Sequence, residues 1–328
     1  MQDTLRWGIL ATGLIAELFT KDLQASGLTV TAAGSRSQEK AQAFADRFGI
    51  AKAHGSYEAL VSDPDVDIIY VATPHPYHAD CAKLALEAGK HVLIEKPFTL
   101  NAGEAEELVS LARAKNLVLL EAMWTRFLPH MKRIHEIIDA GTLGTLLSVH
   151  AEHRQFLPKD PAHRLNAPEL GGGALLDLGI YPTSFMFDIL GAPSEVKATA
   201  RFTETGVDAE IAVTMKHAGD AISTSVSALD CAGPNKAMIY GSDARIEIDT
   251  IWYTPTSFKV IDHKRNVIEE YAETVENRGM QFQAFEMEEL VRSGKPNSTY
   301  MPLDQTVAIM HTLDDIRKQI GLVYPGEK

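Results

Sequence analysis

Two stretches hold residue types that could do chemistry. The first is His91-Val92-Leu93-Ile94-Glu95-Lys96-Pro97. Its wholly apolar centre suits a strand covered on both faces in a parallel sheet. Glu95 and Lys96 then stand at the carboxyl end of a central strand, beyond which open α/β sheets bind ligands. Pro97 biases Lys96 towards extended backbone and stops the strand. Such a lysine can serve a ligand, or pair with Glu95 at the surface, and the local sequence leaves both readings open. The second stretch is a helix expected over 174–190, opened by Gly171-Gly172-Gly173. Asp177 and Tyr181 lie one turn apart on one face of it. Leu175, Leu176, Ile180, Phe185 and Phe187 imply that the helix is buried, so its carboxylate and phenol need partners. A hydrogen bond from Tyr181 to Asp177 would satisfy them; so would a substrate.

A third set of residues points to a dinucleotide. Ala11-Thr12-Gly13-Leu14-Ile15-Ala16 lies between an expected strand and helix and resembles G-x-G-x-x-G/A, with Gly13 in the middle position and Ala16 in the last. The middle glycine lets the backbone approach a pyrophosphate, which then sits on the N–H groups of the helix N-terminus. Ala11 departs from glycine, so the tight turn is made with a Cβ present. At the end of the second strand stands Gly34-Ser35-Arg36-Ser37, with no Asp or Glu for a ribose 2′-hydroxyl. Ser35, Ser37, the Arg36 fork and Lys40 suit a phosphate instead, so NADP is expected over NAD. Ser37 also caps the helix expected at 38–48. Thr73-Pro74-His75-Pro76-Tyr77-His78 reads as a loop at the mouth of the cofactor cleft, with the nicotinamide or its ribose against Thr73 and Pro74. His75 and His78 have metal-ligand spacing but no Cys or acidic third ligand, so no metal is expected.

The elements that position these residues follow from periodicity. Strands at 5–10, 28–33, 66–72, 92–94 and 117–121 alternate with helices ending near 25, 48, 88 and 116, the pattern of a doubly wound parallel sheet. Residues 1–123 are expected to form this Rossmann domain. From 124 onward the pattern changes. Met123-Trp124-Thr125-Arg126-Phe127 leads into a helix at 129–139, and a strand starts at 146–150. Residues 156–168 look like an irregular loop over a site. Alternating runs at 196–201, 209–216, 222–229, 236–240, 245–248 and 258–261 read as a large, mostly antiparallel open sheet, followed by helices at 279–292 and 304–321. The expectation is an α/β protein whose second domain, 124–328, is α+β. Its open sheet face needs cover, and a homo-oligomer (dimer or tetramer) packed through that sheet is the simplest answer.

Composition narrows the function. The 328 residues carry 31 Lys+Arg against 44 Asp+Glu, a net charge of −13, which argues against nucleic acid. No apolar segment is long enough to span a membrane, and residues 1–3 lead directly into a strand pattern without a signal peptide. Only Cys81 and Cys231 are present; two buried, reduced thiols in a cytoplasmic protein are expected.

The glycine turn, Ser35-Arg36-Ser37, the Glu95-Lys96-Pro97 strand end and Asp177 with Tyr181 together resemble the glucose–fructose oxidoreductase (Gfo/Idh/MocA) family. Leu120-Glu121-Ala122-Met123-Trp124-Thr125-Arg126-Phe127 and Leu176-Asp177-Leu178-Gly179-Ile180-Tyr181-Pro182 resemble its dihydrodiol and NADP-dependent xylose dehydrogenases. Many relatives carry His where this chain has Tyr181. The resemblance implies Lys96 as the active-site lysine, Asp177 as the substrate-site acid and Tyr181 as the acid/base. The expected cofactor contacts are Ala11, Thr12, Gly13, Leu14, Ile15, Ser35, Arg36, Ser37, Lys40, Thr73, Pro74, His75, His78, Glu95, Lys96, Trp124 and Arg126. Trp124, Phe127 and Phe156 could wall a ring substrate beside Asp177 and Tyr181, or simply pack between domains. Oxidising a hydroxyl requires loss of its proton as hydride leaves for the nicotinamide. A phenol, with an ordinary pKa of about 10, needs a cation such as Lys96 to accept that proton. The expected small-molecule substrate is an aldopyranose such as D-xylose or a trans-dihydrodiol. Another sugar or inositol dehydrogenase, or an NADP sensor without turnover, are the other readings.

Overall fold

The computed structural model describes residues 4–327. The stretch 1–3, read above as leading into a strand, lies outside the described residues. Along the chain come β1 (Arg6–Leu10), α1 (Leu14–Ala25), β2 (Thr29–Gly34), α2 (Gln38–Phe48), β3 (Lys52–His54), α3 (Tyr57–Val61), β4 (Ile68–Val71), α4 (His78–Glu87), β5 (His91–Glu95), α5 (Ala102–Lys115) and β6 (Leu119–Ala122). Then follow α6 (Pro129–Asp139), β7 (Leu146–Arg154), α7 (Ile180–Leu190), β8 (Glu195–Phe202), β9 (Asp208–Lys216), β10 (Ile222–Ala228), β11 (Ala237–Gly241), β12 (Ala244–Ile248), β13 (Phe258–Asp262), β14 (Val267–Tyr271), α8 (Gln281–Ser293) and α9 (Leu303–Ile320).

The chain forms two compact units. One comprises the residues up to Trp124 and Glu276–Val307; the other comprises Thr125–Val275 and the residues from Ala308 on. The continuous second domain expected from 124 is thereby corrected, because 276–307 belong with the first unit. Side chains far apart in sequence explain the return. The Trp7 indole donates to Glu288 at 2.8 Å, and the Asp22 carboxylate accepts the Met280 N–H at 2.9 Å. Arg113 pairs with Asp304 at 2.6 Å.

In the first unit the strands run in the order β3-β2-β1-β4-β5-β6, every neighbouring pair parallel. Ile9, Leu10, Ile68, Ile69, Val92, Leu93 and Ile94 have no exposed surface. Burying each such side chain contributes about 1.5–3 kcal/mol. These are the apolar runs that identified the strands. The short β3 and α3 were not foreseen, because three and five residues are too few for a periodicity to register.

The second unit holds an eight-stranded sheet in the order β14-β13-β12-β11-β7-β10-β9-β8. All its pairings are antiparallel except β7 with β10. Val149 and Ala151 of β7 and Ser223, Ser225 and Ser227 of β10 turn to the buried side, where α7 packs. The small serines let the helix approach closely. On the opposite face Ile222, Thr224 and His150 are exposed, and Val226, Met238 and Tyr240 are half-buried. Strand β14 was not expected. The single helix expected at 174–190 begins instead with a π-helical turn, Leu175–Gly179, before α7. No helix among the described residues is long and apolar enough to cross a membrane. Both cysteines are free, Cys81 buried and Cys231 exposed; the expected burial of Cys231 is corrected, since it lies in the open segment after β10.

Candidate active site

In the first unit, the loops that follow β1, β2, β4 and β5 all leave the carboxyl edge of one parallel sheet, and the strand order reverses between β1 and β4. Ligands of doubly wound sheets bind at such a switch point. Ala11 makes the first turn with φ of +75°, and its N–H donates to the Gly34 carbonyl at 3.0 Å. That left-handed conformation costs a residue with a Cβ about 1–2 kcal/mol, so the departure from glycine is tolerated by a fixed hydrogen bond. Gly13 is the N-cap of α1, which has no side-chain cap, and a Cβ at Gly13 would meet nothing within 4 Å. The free N–H groups of the helix therefore face open space, as a pyrophosphate requires. Leu14 is exposed, and Thr12 and Ile15 are half-buried beside them. Glu17 in the first turn would oppose an anion, but it is paired with Arg47 at 2.6 Å.

After β2, Ser35 is buried and Arg36 and Lys40 are exposed. Among the described residues, no carboxylate pairs with the Arg36 guanidinium. Ser37 caps α2, its Oγ accepting the Lys40 N–H at 3.3 Å. The serine hydroxyls and two cations, with no carboxylate in Gly34-Ser35-Arg36-Ser37, fit the 2′-phosphate of NADP.

At the ends of β4 and β5 the polar groups are tied together. The Tyr70 hydroxyl donates to Glu95, which is buried, and the Lys96 N–H donates to the same carboxylate at 3.2 Å. Glu95 thus anchors the turn from which the half-buried Lys96 projects. The Lys96-Pro97 bond is cis. His78 lies with Nδ1 2.8 Å from the Pro97 carbonyl and Nε2 2.8 Å from the Thr73 carbonyl. It clamps these two loops to each other, a structural role rather than the cofactor contact expected of it. Burial pushes its pKa down to about 4, helped by neighbouring His75 and Lys96, so the ring is neutral and donates to one of the two carbonyls. Thr73 and His75 are buried and Pro74 is exposed at the edge of this loop. No group of three or more His, Cys, Asp or Glu among the described residues could hold a metal ion.

In the second unit, Asp177 and Tyr181 sit in the π turn and in the first turn of α7, with residue exposures of 6% and 8%. Arg164, from the loop between β7 and the π turn, donates to Asp177 Oδ1 at 3.2 and 3.3 Å. This cation balances the buried carboxylate. Tyr181 belongs to an aromatic cluster. Its ring centroid lies 4.9 Å from His153 and 5.3 Å from Tyr253, and His153 stacks on Tyr253 at 3.8 Å. The Gln155 amide nitrogen lies 2.8 Å from His153 Nε2; with the amide donating, that ring nitrogen accepts and Nδ1 carries the proton. The His153 ring meets Tyr181 edge-on and the Tyr253 ring is tilted against it, so the phenol is packed from two sides.

The sequence matches two family models: an oxidoreductase family with an NAD-binding Rossmann fold over residues 5–123, and the Gfo/Idh/MocA C-terminal domain over 131–247. It is 36% identical to a mouse trans-1,2-dihydrobenzene-1,2-diol dehydrogenase, covering 99% of both chains. The chain belongs to the Gfo/Idh/MocA oxidoreductase family. It is also 37% identical to the D-xylose 1-dehydrogenase (NADP(+)) of Hypocrea jecorina, covering 98% of this chain and 93% of that one. Among solved structures, the 3-ketoreductase of Actinomadura kijaniata in complex with NADP and TDP-benzene superposes with a TM-score of 0.86 at 27% identity, covering 97% and 98%.

Against this Gfo/Idh/MocA frame, three expected residues change role. Arg126 is buried, its guanidinium donating to Ser184 Oγ at 2.9 Å, the Ser184 carbonyl at 2.6 Å and Asp188 at 2.8 Å; it fastens α7 instead of contacting a cofactor. Phe127 has no exposed surface and cannot present a face to a substrate. His78 is the clamp described above. Trp124 is buried beneath the Arg278 guanidinium, 5.9 Å from its ring centroid, while Phe156 is 70% exposed. Sequence reasoning missed His153, Tyr253, Arg164 and Tyr70. Only Arg164 had a local signal, as one of two cations, with Lys159, in the irregular loop flagged at 156–168.

Proposed function

We propose that the protein is an NADP-dependent dehydrogenase that exchanges a hydride between nicotinamide and a cyclic polyhydroxy substrate, an aldopyranose such as D-xylose or a trans-dihydrodiol. The observation that carries this reading is Arg36, exposed beside Ser35 and Ser37 where an NAD enzyme would hold a carboxylate. Full-length similarity to a dihydrodiol dehydrogenase and an NADP-linked xylose dehydrogenase supports it.

NADP supplies the hydride acceptor when bound. The Ala11–Gly13 turn and the N-terminus of α1 take the pyrophosphate, and Arg36, Ser35, Ser37 and Lys40 take the 2′-phosphate. Thr73, Pro74 and His75 border the nicotinamide end. Tyr181 accepts the proton of the reacting hydroxyl at its phenolic oxygen. A phenol does this near neutrality only with a positive charge to favour its ionised form, and Lys96 is assigned to supply it. Asp177, paired with Arg164, accepts a hydrogen bond from a second substrate hydroxyl and so orients the ring. Phe156, largely exposed, offers apolar surface to that ring. The open sheet face carrying Ile222, Val226, Met238 and Tyr240 is assigned to a homo-oligomer, and two free thiols fit a cytoplasmic protein.

The test is absorbance at the reduced-nicotinamide band with NADP⁺ or NAD⁺ and a panel of aldoses, inositols and trans-diols. Turnover of D-xylose or a dihydrodiol, faster with NADP⁺, is the expected result. Turnover confined to inositols would move the substrate class. Silence across the panel with tight NADP binding would favour a sensor.

A further inference from the structure

Asp208, the first residue of β9, has no exposed surface and no part in the chemistry above. Its Oδ2 accepts the N–H of Leu175 at 2.6 Å, at the start of the π turn that carries Asp177. Its Oδ1 has no hydrogen-bond partner among the described residues. The first N–H groups of a helix lack intrahelical partners, and an anion there is stabilised by the helix dipole. Ala174, at the N-cap, offers no side-chain bond of its own. Next to it Gly173 has φ of +119°, and a Cβ at that position would fall 2.0 Å from Asp208 Oδ1. The carboxylate and a side chain at position 173 would therefore occupy mutually exclusive space.

The residue before is held from another direction. The Tyr324 hydroxyl donates to the Gly172 carbonyl at 2.6 Å, and the Tyr324 N–H donates to Glu327 Oε2 at 3.0 Å. Glu327 pairs with Arg317 at 2.5 Å, whose guanidinium also pairs with Asp314 at 2.6 Å and lies 5.2 Å from the Tyr324 ring centroid. A strand residue and the chain's last turn thus converge on the three-glycine loop.

We infer that Asp208 and Tyr324 are positioning residues for the segment that carries Asp177 and Tyr181: Asp208 caps its first turn, and Tyr324 pins the glycine before it. The inference rests on the reading of Asp177 and Tyr181 as substrate-site residues. Its consequence is a dependence on pH. Burial pushes the Asp208 carboxyl up to about 7, against the pull of the Leu175 and Ala174 N–H groups and of Arg317 on α9. The other titratable groups bearing on this cluster are Tyr324, Glu327 and Asp177. As a carboxylate, Asp208 makes a charge-assisted cap; as the acid, its bond to the same N–H is weaker.

Hydrogen exchange of the peptide spanning 171–181, corrected for intrinsic rates, tests this with the wild type, Asp208→Asn and Tyr324→Phe. Each variant is expected to exchange that peptide on the order of tenfold faster, the loss of roughly one net hydrogen bond. The kcat/KM should fall with it while NADP affinity by cofactor fluorescence is unchanged. The wild-type kcat/KM profile should bend near neutral pH, and Asp208→Asn should remove that bend. Unchanged exchange in both variants, or faster exchange with unaltered kcat/KM and profile, overturns the inference. If Asp208→Asn does not fold, Tyr324→Phe decides on the same readouts. An inert Tyr181→Phe substitution would instead sink the site assignment, and the exchange result would still report whether the segment is held.

Discussion

Choice between the two nicotinamide cofactors comes down to the groups that end β2. A carboxylate there would accept from the ribose diol and repel a phosphate; Ser35, Arg36 and Ser37 do the reverse. A charged hydrogen bond contributes about 1.5–3 kcal/mol, so Arg36→Ala should weaken NADP by roughly 10- to 100-fold and leave NAD nearly unchanged. Fluorescence titration with both cofactors measures this, and equal losses would remove the case for the 2′-phosphate. The proton transfer is similarly local. Replacing a general acid/base costs about 10²–10⁴ in rate, so Tyr181→Phe should lower kcat by that order while the NADP dissociation constant stays the same. The substitution removes only the hydroxyl, and the rings of His153 and Tyr253 remain to hold the phenyl ring in place. Near-normal turnover would therefore rule Tyr181 out as the base.

The π turn and α7 show why such a site depends on whole elements. A Cβ at Gly172 would lie 2.7 Å from the Leu165 carbonyl oxygen, and backbone cannot yield as a flexible side chain does. Gly172→Ala should therefore shift the loop or residue 165, lower kcat/KM more than tenfold, and cost about 1–3 kcal/mol in stability. Denaturation and steady-state kinetics on the same preparation separate the two effects; an unchanged kcat/KM would mean that the loop does not set the site. Elements with local signals were legible in the sequence. Buried parallel strands are continuous apolar runs, and the cap of α2 is a short-range contact, Ser37 Oγ with Lys40 N at 3.3 Å. The helix bearing Asp177 and Tyr181 was legible through its apolar residues, but not its π turn, which rests on Asp208, 33 positions away. His153 and Tyr253 escaped notice because they meet only when β7 and the segment after β12 are brought together. The return of 276–307 depends on pairs such as Trp7 with Glu288, 281 positions apart.

For the molecule as a whole, the buried titratable groups pull stability in opposite directions with pH. Burial holds His78 at about 4 and His130 at about 4, against an ordinary 6.5. Between these values the unfolded chain binds more protons than the native one, so their contribution is present near neutrality and is lost as pH falls through the window. Burial shifts His91 and His217 in the same sense. Asp208, raised from 3.8 to about 7, does the opposite: the native state holds its proton where the unfolded chain has lost it, so its contribution is present below about 3.8 and is lost as pH rises through 7. Burial raises Asp22, and hydrogen bonding to Asp188 raises His135, both adding to that opposing side. With His78 and His130 each releasing nearly a full proton on burial, the histidines should prevail, and denaturation midpoints should fall as pH drops from 6.5 towards 4.5. The two senses are separable by substitution. His130→Gln should make the acid slope shallower, whereas Asp208→Asn, by removing the opposing group, should make it steeper. A slope that Asp208→Asn leaves unaltered would mean that this carboxyl titrates in the native protein as it does in the unfolded chain.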